Sequence, residues 1–110
     1  MAKSLHDHVG SSYLSAKKLG ERVLVGIVTG IKEELVRNPD GREETKHVLY
    51  IEGEPKGLVL NATNVDALTE IAGTDDPAEI VRKGIEVELR TEPCTFGGKK
   101  VEGIRVRLPS

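Results

Sequence analysis

Lys99, Lys100, Arg105 and Arg107 fall close together near the end of the 110-residue chain, with Glu102 the only acid among them. Cations at that density can neutralise the phosphates of a nucleic-acid strand, an attraction that ignores base sequence and weakens with salt. Single-strand binding also asks for flat rings on which bases stack, each stacked base being worth about 1–3 kcal/mol. Tyr50 and Phe96 are the candidates, Tyr13 being the one other aromatic. A second account needs no ligand at all. On a two-stranded ribbon Arg107 can pair with Glu88 opposite it, and Lys99 and Lys100 can keep a strand end soluble. Tyr50 is then as well placed in a core as under a base.

Other reactive residues lead less far. His6 and His8 have a His-x-His spacing, but Asp7 is the only acid beside them, and two imidazoles on an unsupported terminus do not preorganise a metal. Cys94 is the single cysteine, which excludes an internal disulfide and a cysteine-based zinc cage, and no histidine precedes or follows it closely enough to suggest a base. Asp75 and Asp76 stand before Pro77, where a helix cap is expected. Asn61, Thr63 and Asn64 suit a strand-to-helix corner whose side chains cap free amides; the same amides would favour an anion. The chain holds no Walker loop, GxGxxG or zinc-protease signature. The expectation is a protein that is not an enzyme, with no catalytic residue, no metal and no cofactor.

Composition sets the frame. Apolar residues make up 37% and charged residues 31% of the chain, a balance that suits one globular domain. No stretch approaches the roughly 18 apolar residues of a membrane span, so no membrane partner is expected, and the single cysteine suits a reduced, cytoplasmic setting. The net charge of −2 conceals segregation. Residues 1–22 are net positive, residues 47–79 strongly negative, and residues 97–107 positive again. Such a domain can offer a polyanion one face and repel it from another, although the overall acidity argues against tight nucleic-acid binding.

These side chains need elements to hold them. Residues 1–20 read as a loosely ordered N-terminal segment in which Tyr13, Leu14 and Leu19 can dock, and residues 21–110 as one domain. Val23, Val25, Ile27, Thr29 and Ile31 alternate, predicting a long first strand with that parity on the core, marked for bending by Gly26 and Gly30. Pro39-Asp40-Gly41 supplies a turn into a second strand over residues 46–52, apolar on both parities and a possible pairing edge for a second subunit. "GLVLN" is a short third strand. Val65, Leu68, Ile71 and Ala72 give a helix ended by Gly73, and Asp76-Pro77 opens a second helical turn ended by Gly84, with Glu79 as the partner in a capping box. The last two strands form a hairpin turning at Gly97-Gly98, in the register that pairs Phe96 with Lys99, Leu89 with Val106 and Val87 with Leu108. Three strands, a helix and two strands, with a bent first strand, predict a mainly β, five-stranded OB-like barrel.

"GLVLNATNVDALTEI" and "CTFGGKKVEGIRVRLPS" carry a resemblance. Over most of residues 12–108 the chain resembles a family of small proteins encoded by bacteriophages and prophages. Members typically read "KGLVLNKTNA" before a helix and close on an "FGGKxVxGIRVR"-like hairpin. The resemblance implies a setting near replication and recombination functions. With the barrel, it points to a low-specificity binder of single-stranded DNA or RNA using Tyr50, Phe96, Lys99, Lys100, Arg105 and Arg107. The alternative is a protein-interaction accessory or oligomer that engages another phage or host protein.

Overall fold

The computed structural model describes residues 13–37, 41–96 and 98–109, with the Phe96 side chain excepted. His6, His8, the Pro39-Asp40 turn and Gly97 lie outside the described residues. Helix α1 spans Ala16–Leu19, strand β1 Val23–Arg37, β2 Glu43–Ile51 and β3 Leu58–Val59. Helix α2 follows over Ala62–Ala72, α3 over Pro77–Arg82, then β4 over Glu86–Phe96 and β5 over Lys99–Arg107. The strands make one antiparallel sheet in the order β3-β2-β1-β4-β5.

Strand β1 is long because it serves two neighbours in succession. Val23–Ile27 pair with β4, and from Val28 onward the partner is β2. Val28 lies opposite Ile51 but Gly30 opposite Tyr50, so Thr29 is an extra residue, a β-bulge. An extra residue shifts the alternation by one. Ahead of it the even positions point inward, with Val28 1% exposed, Leu24 half-buried and Gly26 against β2. Beyond it the odd residue Ile31 packs on the core. The expected inward face of β1 is therefore wrong for its first half: Val23, Val25 and Ile27 are 44%, 50% and 40% exposed. Gly26 holds the inward place because a side chain there would start 3.0 Å from the Glu52 carbonyl oxygen and 3.3 Å from Ile51.

The closed barrel requires β3 to pair with β5, and among the described residues that pairing is absent. The observed fold is mainly β, an open five-stranded sheet whose edges are β3 and β5. Two devices fill the gap. Helix α2 packs on β5 and presses Asn64, 2% exposed, against its free edge. The Asn64 amide nitrogen donates to the Ile104 carbonyl at 2.8 Å, and its oxygen accepts from the Val106 amide at 3.2 Å. One side chain thus supplies the hydrogen bonds a neighbouring strand would. At the other end, residues 13–19 form a strap. The Leu14 amide donates to the Gly57 carbonyl at 2.8 Å, Leu19 is buried, and α1 packs on β4 and β5. Residues 13–20, within the segment read as loosely ordered, dock through the Leu14 and Leu19 that the sequence offered for it.

The helices follow their capping signals. Asn61 caps α2 by accepting from the Asn64 amide at 2.9 Å, and Gly73 ends it at φ 75°. Asp76 caps α3 by accepting from the Ala78 amide at 3.0 Å, with Pro77 first in the helix. Glu79, expected to complete a capping box, lies 3.6 Å from Arg82 instead. The core gathers Val28, Leu49 and Ile51 with Leu60, Leu68, Ile80, Val87, Leu89, Ile104 and Val106. Among the described residues no helix is long and apolar enough to cross a membrane.

Candidate nucleic-acid interface

The β4–β5 hairpin has the register expected of it. Glu88 faces Arg107, Leu89 Val106, Arg90 Arg105, Thr91 Ile104 and Phe96 Lys99. Strict alternation places Val87, Leu89, Ile104 and Val106 in the core and Glu88, Arg90, Glu92, Arg105 and Arg107 on the outer face. Leu108, expected inward opposite Val87, lies past the end of β5 and is 65% exposed.

On that outer face the charges pair with residues other than those standing opposite them in the register. Arg107 donates two hydrogen bonds to Glu92, Nε to Oε2 at 2.9 Å and Nη2 to Oε1 at 2.6 Å. This bidentate contact holds the Glu92 carboxyl below its usual range and raises Arg107 further. Arg90 reaches Glu88 at 2.9 Å, and the Glu88 side chain is only 8% exposed. Arg107 is thus joined to Glu92 rather than to the Glu88 opposite it. Lys99 and Lys100 are exposed at the hairpin tip and form no ion pair among the described residues.

Half-buried Arg105 faces a groove of about 460 Å³ between the first turn of α2 and the hairpin. Asn61, Ala62 and Thr63 form its helix side, and Cys94, Val101 and Glu102 lie along its hairpin side. The amides of a helix's first turn have no intrahelical acceptor and carry partial positive charge. Facing Arg105, they make one wall of the groove attractive to an anion, while Glu102 opposes this from the other. Cys94 is half-buried, its thiol 3.3 Å from the Glu92 carbonyl, and among the described residues no histidine lines the groove.

Tyr50 lies elsewhere, on the face formed by β1 and β2, and its hydroxyl is committed. It donates to Glu34 Oε2 at 2.5 Å while the Tyr13 hydroxyl donates to Oε1 at 2.7 Å, so two phenols share one carboxylate. The bond to Glu34 pushes Tyr50 up to about 12 and raises Tyr13; the same two bonds, Tyr50's first, lower Glu34. Lys32 Nζ stands 5.4 Å from the Tyr50 ring centre. A Cβ on Gly57 would fall 2.8 Å from that ring and 2.4 Å from Val48. The ring therefore packs directly against Gly57, the residue before β3. Sequence reasoning missed this cluster, since nothing local links Tyr13 to Glu34 and Tyr50.

The structure thus brings Lys99, Lys100, Arg105 and Arg107 onto one hairpin, with the Phe96 backbone opposite Lys99, and leaves Tyr50 apart from them. Among the described residues no group of three His, Cys, Asp or Glu side chains is arranged to hold a metal ion. Strand β2 is paired on both sides at Val48 and Leu49, so residues 48–49 of the suggested pairing edge are interior. Comparison with protein-family models, with curated proteins and with solved structures found no match.

Proposed function

We propose that the chain is a non-catalytic binding module which holds single-stranded nucleic acid by its phosphates along the β4–β5 hairpin. The strand order β3-β2-β1-β4-β5, with β1 divided between two partners, is that of an OB barrel opened between its third and fifth strands. A role in phage or prophage replication or recombination accords with the sequence resemblance. The observation that carries the reading is the placement of Arg105 on a groove beside the α2 N-terminus, continued by Lys99 and Lys100, which are exposed and form no ion pair among the described residues. Arg107, bound by Glu92, and Tyr50, bound to Glu34, are left out of the grip, so affinity rests on charge rather than stacking.

Charge-based binding has a characteristic salt dependence. Three phosphate contacts on a single strand give a log–log slope near −2, about a 20-fold loss of affinity between roughly 50 and 200 mM salt. Fluorescence anisotropy of labelled oligo-dT measures it directly. Charge reversal at Lys99, Lys100 and Arg105 should abolish binding and leave the thermal midpoint within a few degrees. Unchanged affinity in that variant would refute the grip.

A second reading is favoured by the exposed stripe of Val23, Val25 and Ile27 on the outer face of β1. Beside it lie Glu88–Arg90 and Glu92–Arg107, charges already paired with each other. An apolar strip flanked by self-neutralised pairs suits another phage or host protein, or a further copy of the chain, better than a polyanion. Absence of oligo-dT binding at micromolar protein and low salt would leave this reading in place.

A further inference from the structure

A second cationic cluster lies on the strap, apart from the hairpin. Residues 13–19 leave a groove of about 200 Å³ between themselves and the β2–β3 turn. Lys18 and Arg22 reach it from either side of the end of α1, and Lys56 meets them from a turn more than thirty positions away in sequence. None of the three forms an ion pair among the described residues. Among the described residues the lining holds one carboxylate, Glu54, whose Oε1 accepts from the Lys56 backbone amide at 3.3 Å. The floor is Leu14 and Leu19, and Leu19 is 3% exposed.

Three like charges gathered over an apolar floor repel one another, and an apolar floor strengthens every electrostatic term above it. An anion relieves the repulsion. We propose that this groove binds a phosphate group, with the Arg22 guanidinium able to engage two oxygens at once and Lys18 and Lys56 acting as point charges. The Tyr13 hydroxyl is held by Glu34 and contributes a wall rather than a donor. The volume is several times the ~30 Å³ that one water occupies in the liquid, enough for a phosphate and part of what carries it. Two sources share this chemistry. One is the backbone of the strand held at the hairpin, a case that rests on the function proposed above. The other is a free polyphosphate, which does not.

Amide chemical shifts of the whole chain titrated with sodium tripolyphosphate, and separately with oligo-dT, distinguish them. Two variants accompany the titrations: Lys18→Gln/Arg22→Gln/Lys56→Gln in the groove and Lys99→Glu/Lys100→Glu/Arg105→Glu at the hairpin. Saturable shifts at Lys18, Arg22 and Lys56 with tripolyphosphate, lost in the groove variant, support a free-phosphate site. Shifts there with oligo-dT alone support the strand backbone; the three groove contacts would then add to the three at the hairpin, giving the unsubstituted chain a salt slope near −4 that falls to about −2 in the groove variant. If neither ligand moves these amides in the unsubstituted chain, the proposal is overturned, and this holds even if the groove variant fails to fold. Loss of oligo-dT binding in the hairpin variant alone would leave the hairpin reading standing without the groove; groove shifts that persist in that variant would do the reverse.

Discussion

Replacing Asn64 by alanine removes the side chain that, among the described residues, hydrogen-bonds α2 to the free edge of β5. The 2.8 Å bond to the Ile104 carbonyl and the 3.2 Å bond from the Val106 amide are both buried. A typical hydrogen bond adds about 1 kcal/mol net, but a buried donor or acceptor left without a partner costs about 1–3 kcal/mol. Two such groups are orphaned here, one partly relieved by water at a sheet edge, so the expected loss is about 3 kcal/mol. With an unfolding entropy near 2.1 cal/mol/K per residue over 110 residues, the midpoint should fall by about 13 °C. Asn64→Asp separates the two bonds. A carboxylate still accepts from Val106 but faces the Ile104 carbonyl oxygen with no proton to give. Its place in the first turn of α2 returns at most about 1 kcal/mol through the helix dipole, too little to compensate. Burial raises the folded pKa of this aspartate above its unfolded value, so its stability is greatest below the unfolded pKa and declines as pH rises through the folded one. The aspartate variant should therefore recover toward the parent near pH 4 and be weakest near pH 7, whereas the alanine variant shows no such recovery. Urea unfolding with an unchanged m-value reads both. An alanine cost below 1 kcal/mol, or an aspartate cost independent of pH, refutes the claim that Asn64 substitutes for a strand.

Three further outcomes are expected. Gly57→Ala would put a methyl group 2.4 Å from Val48 Cγ1, costing about 1–3 kcal/mol, while Gly30→Ala, with nothing nearer than 3.9 Å, should be neutral or slightly stabilising; urea midpoints compare them. The chain has two tyrosines and no tryptophan, so tyrosinate absorbance reports the strap, and Tyr50 should ionise only at about pH 12. Because both phenols are raised in the folded chain, stability is full below pH 10.0 and lost as pH climbs beyond it, a decline Tyr50→Phe should largely remove. Joint ionisation at the unperturbed value would refute the shared carboxylate. Glu92→Gln should cost under about 1 kcal/mol, the Arg107 side chain being 53% exposed. By freeing that guanidinium it should steepen the oligo-dT salt slope by about 0.7, and an unaltered slope would place Arg107 outside any phosphate path.

Several features were legible because neighbouring residues determine them. The β4–β5 register follows from alternation of Leu89, Thr91, Ile104 and Val106 about a glycine turn, since a slip by one residue would turn all of them to solvent. The caps at Asn61 and Asp76 and the stop at Gly73 follow from backbone groups within three residues. The parity of β1 was misread because the bulge at Thr29 leaves no mark in the hydrophobic pattern: Val23, Val25 and Ile27 on the outer face look just as apolar as Leu24 and Val28 within. A bulge depends on which β2 residues stand opposite, and β1 alone does not say.

The candidate site divides along the same line. Where Lys99, Lys100, Arg105 and Arg107 would sit on a ribbon was determined by sequence, because strand geometry acts over a few residues. Which of them remains unpaired was not, because Arg107 chose Glu92, fifteen positions away, over the Glu88 opposite it. The Tyr13–Glu34–Tyr50 clasp, the Asn64 bridge and the meeting of Lys18 and Arg22 with Lys56 likewise join segments sixteen or more residues apart. Local backbone preferences cannot encode such encounters; they arise when the burial of Leu19 and Leu68 with the rest of the core brings the strap and α2 against an open sheet.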